Sequence, residues 1–406
     1  MTPPHSLYLH IPFCAHRCAY CDFNTYAGRE ALIPAYVEAL CREIQAVARS
    51  TPRQLPVHTI FFGGGTPSLL TSKQFEQILH ALHDLFDLSD MSDLETSLEA
   101  NPGTVDLAGL RDLRRLGFNR ISFGVQSFDS SELRQLERIH DPFDVLAAVR
   151  WARQAGFGNL NLDLIFGLPE QSLERWQSSL KLAVAIAPEH LSLYALTIEH
   201  GTPFGRWAAR GLLPLPDPDL AADMYDWASD YLAGQGYQQY EISNWSKPGF
   251  QCRHNLQYWR NQPYLGFGAG AHGCANGLRI SDVLHIKTYL DRLNLAPLSP
   301  VYLFPVSPAT VSQIRITPFV EMQETLMLGL RLTREGVSSL AFRERFGQDL
   351  MAVFGKEINE LTGLGLLEWA QQQTSEALKT SEVWDVLRLT PRGHLLGNQV
   401  FLRFVD

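Results

Sequence analysis

Short apolar runs alternate with amphipathic segments through the first half of the chain. The runs predict strands at 6–11, 59–62, 95–99, 120–125, 159–165 and 190–196. Between them, apolar residues recur at helical spacing and predict helices from 33, at 72–86, 107–116, 131–138 with 143–154, and 173–186. Strands that alternate with helices indicate a parallel sheet or barrel. The six strands fall short of the eight of a closed barrel.

The pattern loosens after residue 197. It predicts a helix at 220–232, a short strand at 240–243, a linker at 297–318, helices from 319, a strand at 364–369 and a final helix-and-strand unit. We therefore expect domains at 1–235, 236–300, 301–318 and 319–406, the last with a winged-helix-like module. Residues 319–406 contain nine Lys and Arg against twelve Asp and Glu, a net charge of −3, so we do not expect this module to bind DNA.

The composition is ordinary for a globular protein, with 45% hydrophobic and 19% charged residues among 406. A net charge of −9 argues against a general nucleic-acid binder. The first ten residues lack the basic and apolar regions of a secretory signal. No run approaches the ~20 apolar residues that span a bilayer. We therefore expect a cytoplasmic protein whose clustered cysteines are ligands, not disulfides.

Three of the six cysteines, Cys14, Cys18 and Cys21, lie within eight residues in a C-x3-C-x2-C spacing. Soft thiolates so close together can hold an iron–sulfur cluster or zinc. Three ligands on a four-iron cluster leave one iron open for chemistry. A closed zinc site with His10 or His16 as the fourth ligand is the alternative, and the spacing alone leaves both open.

The unusual residues of the first half follow predicted strands, where sites form in parallel α/β folds. Glycines at 63–65 would let a ligand approach the backbone and leave amides free to donate, although a tight turn explains them equally well. Polar candidates at or near other strand ends are Glu99, Gln126, Arg138 and Asp163. Each of these alone is more often structural.

The cysteine spacing, Tyr20 before the third cysteine and the lead-in LYLHIPF resemble the radical S-adenosylmethionine (SAM) family. That resemblance implies an open (β/α)6 partial barrel, a [4Fe-4S] cluster on Cys14, Cys18 and Cys21, and SAM at the fourth iron. The residues that match SAM contacts of the related oxygen-independent coproporphyrinogen III oxidases are Tyr8, Gly64, Gly65, Thr66, Glu99, Gln126, Arg138 and Asp163.

Two departures from those oxidases put porphyrinogen decarboxylation in doubt. Phe23 stands where the oxidases carry a further cysteine, and it remains a candidate cofactor-binding residue. The predicted first strand also begins near residue 6, without the long extension of the oxidases. A radical SAM enzyme acting on a porphyrin-related substrate is therefore kept as the alternative function. The preferred interpretation is a second one.

That second interpretation comes from the hexapeptide 254–259, which resembles the H-N-x-x-Y-W signature of the HemW haem chaperones. His254 could ligate haem iron, while Tyr258 and Trp259 could pack against the porphyrin. Arg253 and Arg260 could bind its propionates. Cys252 and His272 are weaker ligand candidates. A loop packed by its aromatic residues, with His254 hydrogen-bonded inside, is the structural alternative.

The resemblance implies a haem chaperone that passes haem to acceptor apoproteins, in particular respiratory enzymes. Peripheral contact with membrane-bound acceptors and a cluster-dependent dimer are further candidates. A structural protein stabilised by a zinc site is the remaining alternative.

Overall fold

A computed structural model describes residues 4–51, 54–88, 94–295, 302–373 and 383–405. Its strands, in chain order, are β1 His5–Ile11, β2 Phe13–Cys14, β3 Tyr26–Ala27, β4 Val57–Gly64, β5 Glu95–Ala100, β6 Arg120–Gln126, β7 Asn159–Phe166, β8 His190–Ala195, β9 Gln238–Glu241, β10 Asn244–Ser246, β11 Tyr264–Phe267, β12 His272–Ala275, β13 Leu278–Asp282, β14 Thr310–Arg315, β15 Val337–Ser338, β16 Leu367–Gln373 and β17 Val383–Leu389.

The helices are α1 Ile33–Arg49, α2 Ser72–Leu85, α3 Leu107–Arg115, α4 Ser130–Gln135, α5 Pro142–Ala155, α6 Leu173–Ala185, α7 Pro203–Ala209, α8 Pro218–Gly234, α9 Arg253–Trp259, α10 Ile286–Leu295, α11 Pro318–Gly329, α12 Ser339–Phe346, α13 Leu350–Gly363, α14 Pro391–Leu395 and α15 Gly397–Leu402. None of the helices in these described ranges is long and apolar enough to cross a membrane.

The six strands predicted in the first half are confirmed. They lie side by side as β1-β4-β5-β6-β7-β8, and every neighbouring pair is parallel. Helices α2 to α6 each begin at a side-chain cap; Thr71, for example, forms a capping box with Gln74 at the start of α2. Both faces of these strands are largely buried, as expected for a parallel sheet. The carboxyl ends of all six strands therefore share one edge.

The chain divides into two compact units, and each is assembled from two separate stretches of the sequence. One unit comprises residues 1–236 with 263–315, and the other comprises 237–262 with 316–406. Whether the four segments predicted from the sequence fold as separate domains stays a prediction.

The first unit contains strands that the sequence did not predict. β11 pairs in parallel with β1, and β12, β13 and β14 follow as antiparallel neighbours in the order β14-β13-β12-β11-β1. The predicted linker therefore includes a strand, β14, while residues 296–301 lie outside the described ranges. The strands escaped detection because glycines interrupt their periodicity; Gly268 and Gly270, at positive φ, form the turn between β11 and β12.

The second unit contains the antiparallel hairpin β9–β10, helix α9 and a helical module. The module runs α11, β15, α12, α13, β16, β17, and its small sheet has the order β15-β17-β16. This arrangement confirms the winged-helix-like prediction. The predicted order of the last two elements was wrong: strand β17 precedes helices α14 and α15. The error arose because Thr390 and Pro391 start a helix immediately after the strand, leaving no loop signal between them.

A buried carboxylate on α1 accepts hydrogen bonds from distant segments of the first unit. Glu43 is fully buried and accepts hydrogen bonds from Gly268 N (2.8 Å), Tyr289 Oη (2.7 Å) and Ser307 Oγ (2.7 Å). Burial, followed by the proximity of Glu43, holds the pKa of Asp282 well above its usual range. This network fastens α1 to α10, to the turn that follows β11 and to the segment that precedes β14.

Candidate functional site

A cavity of about 380 Å³ opens at the shared carboxyl edge of β1 and β4–β8. Eleven of the thirteen residues proposed from the sequence as cluster or cofactor ligands line it. They are Cys14, Cys18, Cys21, Phe23, Gly64, Gly65, Thr66, Glu99, Gln126, Arg138 and Asp163. Contributions from five different strand ends meet here because parallel strands present the same end at one edge.

The cysteine loop is closed at its base by a short pairing of β2 with β3. Within it, Cys21 N donates to Cys18 O (3.2 Å), which forms a tight turn between the second and third cysteines. Ala19 N donates to Leu136 O (3.3 Å), so the loop is also attached to the segment that follows α4. The backbone thus holds the three cysteines on one side of the cavity.

Each cysteine sulfur has a hydrogen-bonding side chain from a different segment. The pairs are Thr66 Oγ1 with Cys14 Sγ (3.7 Å), Arg138 Nη1 with Cys18 Sγ (3.4 Å) and Thr25 Oγ1 with Cys21 Sγ (3.9 Å). Burial raises the pKa of Cys14, and the hydroxyl of Thr66 opposes that shift. Donors directed at sulfur stabilise thiolates and tune clusters that thiolates hold. This donor set fits a cluster bound through three cysteines.

Of the two histidines considered for a zinc site, His10 is hydrogen-bonded elsewhere and His16 lines the cavity. His10 Nε2 donates to Asn24 O (3.0 Å), which leaves Nδ1 to accept from Tyr8 Oη (3.0 Å). His16 lies near Glu137, with 3.7 Å between Nε2 and Oε2. Across the described ranges, no three histidine, cysteine or acidic side chains converge as a single metal ion requires. Neither predicted imidazole is placed as a fourth zinc ligand.

The glycines after β4 are required by close packing. A Cβ on Gly64, whose φ is 113°, would lie 2.5 Å from His10 Cε1. A Cβ on Gly65 would lie 2.6 Å from Phe13 O and 3.0 Å from Cys14 Sγ. Since backbone oxygens cannot move aside as a flexible side chain does, Gly65 lets the strand end pass directly against the cysteine loop.

The prediction that these glycines leave amides free to donate was wrong. Each amide already has an acceptor: Gly64 N donates to Glu99 Oε2 (3.0 Å), Gly65 N to Ile11 O (2.9 Å) and Thr66 N to Phe13 O (2.7 Å). The reason is that backbone pairing with the β1 segment continues past the end of β4. Groups that donate, such as an ammonium, therefore suit this wall better than groups that need donors.

Two half-buried carboxyl groups, those of Glu99 and Asp163, face the cavity. Burial, and then the charge of Asp163, raise the pKa of Glu99 to about 7, although the amide of Gly64 opposes the shift. Asp163 accepts from Ser122 Oγ (2.8 Å) and Asn161 Nδ2 (2.7 Å). Burial raises the pKa of Asp163 while these donors lower it. Such a pair provides acceptors for ligand hydroxyls or a cation.

Arg138 and Gln126 form the wall next to the second cysteine. Gln126 has a φ of 68°, and a Cβ on Gly124 would lie 2.9 Å from its Nε2. Arg138 Nη2 donates to Gly124 O (2.6 Å), while its Nε is buried without a partner among the described residues. An unsatisfied buried donor is costly, so this atom fits a ligand that accepts from it.

Among the predicted cofactor-binding residues of the first unit, Tyr8 lies outside the cavity lining and Phe23 lies at the mouth of the cavity. Tyr8 is partly buried next to the glycine segment and stacks on Phe61, with 6.3 Å between the ring centroids. It is not one of the cavity-lining residues in the described structure. Phe23 lines the cavity but is 64% exposed. It therefore lies at the mouth, where its ring can contact a ligand or a partner.

Sequence reasoning missed several polar residues of the strands beneath the cavity. Asn161 Nδ2 donates to Ser122 Oγ (2.6 Å), and His190 Nδ1 donates to Asn161 Oδ1 (2.6 Å). The hydroxyl of Ser192 joins the same network. A signal existed, because these polar residues interrupt otherwise apolar strands. Their effect is to position the Asp163 carboxylate.

The predicted haem ligand lies in the second unit, on α9. His254 is 1% exposed, and its Nε2 lies 2.8 Å from Tyr258 Oη. Cys252 is fully buried at the start of the same helix. The hydrogen-bonded state considered as the structural alternative is therefore present. Haem ligation by His254 remains a prediction.

The residues proposed to contact the porphyrin and its propionates also have partners. The Arg331 guanidinium lies 4.5 Å from the centroid of the Trp259 ring. Arg260 forms a two-bond pair with Glu335, Nε to Oε1 at 2.8 Å and Nη2 to Oε2 at 2.7 Å. Arg260 would have to leave Glu335 in order to bind a propionate.

Comparison with known proteins defines the class. Residues 8–183 match the radical SAM superfamily, and residues 316–372 match the HemN C-terminal domain. The fold resembles that of coproporphyrinogen III oxidase (HemN) from Escherichia coli, a radical SAM enzyme, with a TM-score of 0.80 over 100% of this chain and 91% of that one, at 24% identity. The fold is therefore that of radical SAM proteins, and the segment that matches the superfamily contains the three cysteines.

The full-length relatives identify the family within that class. The chain is 38% identical to the heme chaperone HemW of Bacillus subtilis (strain 168), over 98% of this chain and 99% of the relative. It is 41% identical to the heme chaperone HemW of Synechocystis, over 98% of this chain and 95% of the relative. The chain belongs to the HemW family.

Proposed function

We propose that this chain is a cytoplasmic haem chaperone that binds haem and passes it to acceptor apoproteins, respiratory enzymes among them. The observation that carries the proposal is full-length similarity to HemW chaperones. The hexapeptide 254–259, which resembles the H-N-x-x-Y-W signature, supports it. In this proposal, the cysteine cavity holds a [4Fe-4S] cluster and SAM.

The residues of the cavity have complementary tasks in this proposal. Cys14, Cys18 and Cys21 hold the cluster, which supplies an open iron and one-electron chemistry. Arg138 and the two threonines direct donors at the sulfurs. Gly64 to Thr66 form the wall that receives the amino group of SAM. Glu99 accepts from its ribose hydroxyls, and Asp163 and Gln126 contact the remainder of the molecule.

The binding of SAM is expected to depend on pH through Glu99. Its raised pKa of about 7 means that the carboxyl is mostly protonated at pH 6 and mostly ionised at pH 8. If the ionised form binds the ribose hydroxyls, affinity increases roughly tenfold between these values. Equilibrium dialysis of the anaerobically reconstituted protein at both pH values measures the change. Glu99→Gln should bind more weakly and without this dependence.

The exposed Glu38→Gln serves as the matched control, since Glu38 lies on α1 and pairs with Arg42 on the same surface. It should retain the dependence of the wild type. An unchanged pH profile in Glu99→Gln would assign the titration to another group.

Haem binding is tested on the reconstituted chain by titration with ferric haem. We expect a stoichiometric Soret band in the wild type, and a lost or shifted band in His254→Ala. His80→Ala is the control, because His80 is an exposed histidine paired with Asp84 on α2. Transfer is then followed by adding an apoprotein acceptor and separating the two proteins. A wild type with no specific haem binding would refute the proposal.

The second candidate is a radical SAM enzyme acting on a porphyrin-related substrate. The completeness of the SAM side of the cavity favours it, since all the predicted residues except Tyr8 line that space. Formation of 5′-deoxyadenosine that depends on an added porphyrinogen would support this candidate. Slow cleavage that is independent of any substrate would support the chaperone.

A further inference from the structure

One residue pair in the second unit has the composition of an axial haem ligand with its own base. His254 and Tyr258 lie one turn apart on α9 (Arg253–Trp259), where side chains four residues apart share a face. Their rings are perpendicular, at 89°, with 5.0 Å between the centroids. Nε2 of the imidazole lies 2.8 Å from Oη of the phenol. The two polar atoms therefore already share one proton-carrying hydrogen bond.

Burial distinguishes the two side chains. His254 is 1% exposed, whereas Tyr258 is only partly buried. For iron to reach Nε2, the ring would have to leave its buried position and give up the phenol. Breaking the hydrogen bond between His254 and Tyr258 would leave one of these polar atoms without that partner, which is costly. A phenol oxygen keeps a lone pair while it takes part in a hydrogen bond, so iron on Tyr258 Oη would not require the loss of the hydrogen bond to His254.

The chemistry suits the phenol as well. Tyrosine is an established proximal ligand to haem iron, and a phenolate is a hard anionic donor that suits ferric iron. A phenol must lose its proton to become that ligand. A histidine within hydrogen-bond distance is the usual side chain that accepts such a proton near neutral pH.

We propose that Tyr258, and not His254, is the axial ligand to ferric haem, and that His254 accepts the tyrosine proton. The O–H bond of Tyr258 breaks, an Fe–O bond forms, and the proton moves to His254 Nε2. Any water on the iron leaves, and the iron stays ferric. The hydrogen bond persists with its polarity reversed, from imidazolium to phenolate. This inference rests on the proposed haem-binding function.

The decisive measurement is resonance Raman spectroscopy of the ferric haem complex of the full chain. Tyrosinate modes enhanced through the iron should appear, and they should shift when the protein is produced with ring-deuterated tyrosine. This measurement uses the wild-type sequence, so its outcome does not depend on whether a variant folds. A haem complex whose spectrum is insensitive to the label would overturn the assignment of Tyr258.

Variants divide the two roles. Tyr258→Phe should lose the phenolate-to-iron charge-transfer band and bind ferric haem about tenfold or more weakly. His254→Gln keeps a hydrogen-bonding side chain but no base, so the band should appear only at higher pH. Tyr231→Phe is the control, since Tyr231 stacks on Trp227 in the first unit. It should match the wild type in both measurements.

The outcomes separate this inference from the function on which it rests. Loss of haem from His254→Ala, with an unaltered spectrum in Tyr258→Phe, would make His254 the ligand and leave the chaperone intact. A wild type that binds no haem at stoichiometric concentration would remove the proposed function itself.

Discussion

Gly65→Ala is expected to prevent formation of the proposed iron–sulfur cluster while leaving most of the fold in place. The added methyl group would meet Phe13 O at 2.6 Å, Ile11 O at 2.9 Å and Cys14 Sγ at 3.0 Å. Two of these atoms belong to the backbone that enters the cysteine loop, so the loop must shift. Overpacking of this kind costs about 1–3 kcal/mol, and the displacement falls directly on a ligand.

The iron and sulfide content after anaerobic reconstitution measures the effect, and we expect a decrease of roughly tenfold or more, because a ligand misplaced by a fraction of an ångström binds poorly. A thermal melt of the apoprotein shows whether the fold has survived. Gly158→Ala is the matched control, since a Cβ there meets nothing within 4 Å. Full cluster occupancy in Gly65→Ala would show that the loop adapts and that close packing at this strand end is dispensable.

The sequence predicts the parallel half of the fold and most of the cavity because both depend on local patterns. Strand and helix periods alternate regularly up to residue 196, and parallel pairing then places every strand end at one edge. That is why polar residues as distant in sequence as Cys14 and Asp163 line the same cavity. Parallel pairing alone predicts that these residues lie together, without knowledge of the register between strands.

The remaining features depend on contacts that have no local signature. Glu43 falls within the apolar periodicity of α1, and nothing near it indicates that Gly268, Tyr289 and Ser307 will donate to it. Gly268 follows β11, Tyr289 lies on α10 and Ser307 precedes β14, and no local pattern at these positions indicates a buried carboxylate as their partner. The amides of residues 64–66 donate to Glu99 and to the segment from Ile11 to Phe13. These acceptors come from other parts of the chain, so the glycine-rich sequence alone does not reveal that the amides are occupied.

The hexapeptide proposed to bind haem, residues 254–259, illustrates the same limit within six residues. Its spacing suggested an imidazole ligand with aromatic neighbours, which is chemically sound. The structure adds burial and the 2.8 Å contact of His254 Nε2 with Tyr258 Oη. Helical spacing makes that contact available, but whether a histidine faces solvent or a phenol depends on the packing around α9.

Arg138→Met is expected to make the proposed cluster harder to reduce, because hydrogen bonds to cluster sulfurs raise reduction potentials. It is also expected to weaken SAM binding at least about tenfold, because charged donors contribute strongly to binding. The guanidinium donates to Cys18 Sγ at 3.4 Å and to Gly124 O at 2.6 Å, and its buried Nε has no partner among the described residues. Methionine keeps much of the side-chain volume and removes every donor.

Potentiometric titration followed by electron paramagnetic resonance measures the first effect, and equilibrium dialysis with SAM measures the second. Arg138→Lys keeps the charge but cannot reach both acceptors with a planar fork, so its potential should lie between those of wild type and Arg138→Met. Arg134→Met, at an exposed position on α4, is the control and should behave as wild type. If Arg138→Met kept the wild-type potential and lost only SAM, the arginine would act on the ligand alone, and the contact with Cys18 would serve merely to hold the loop.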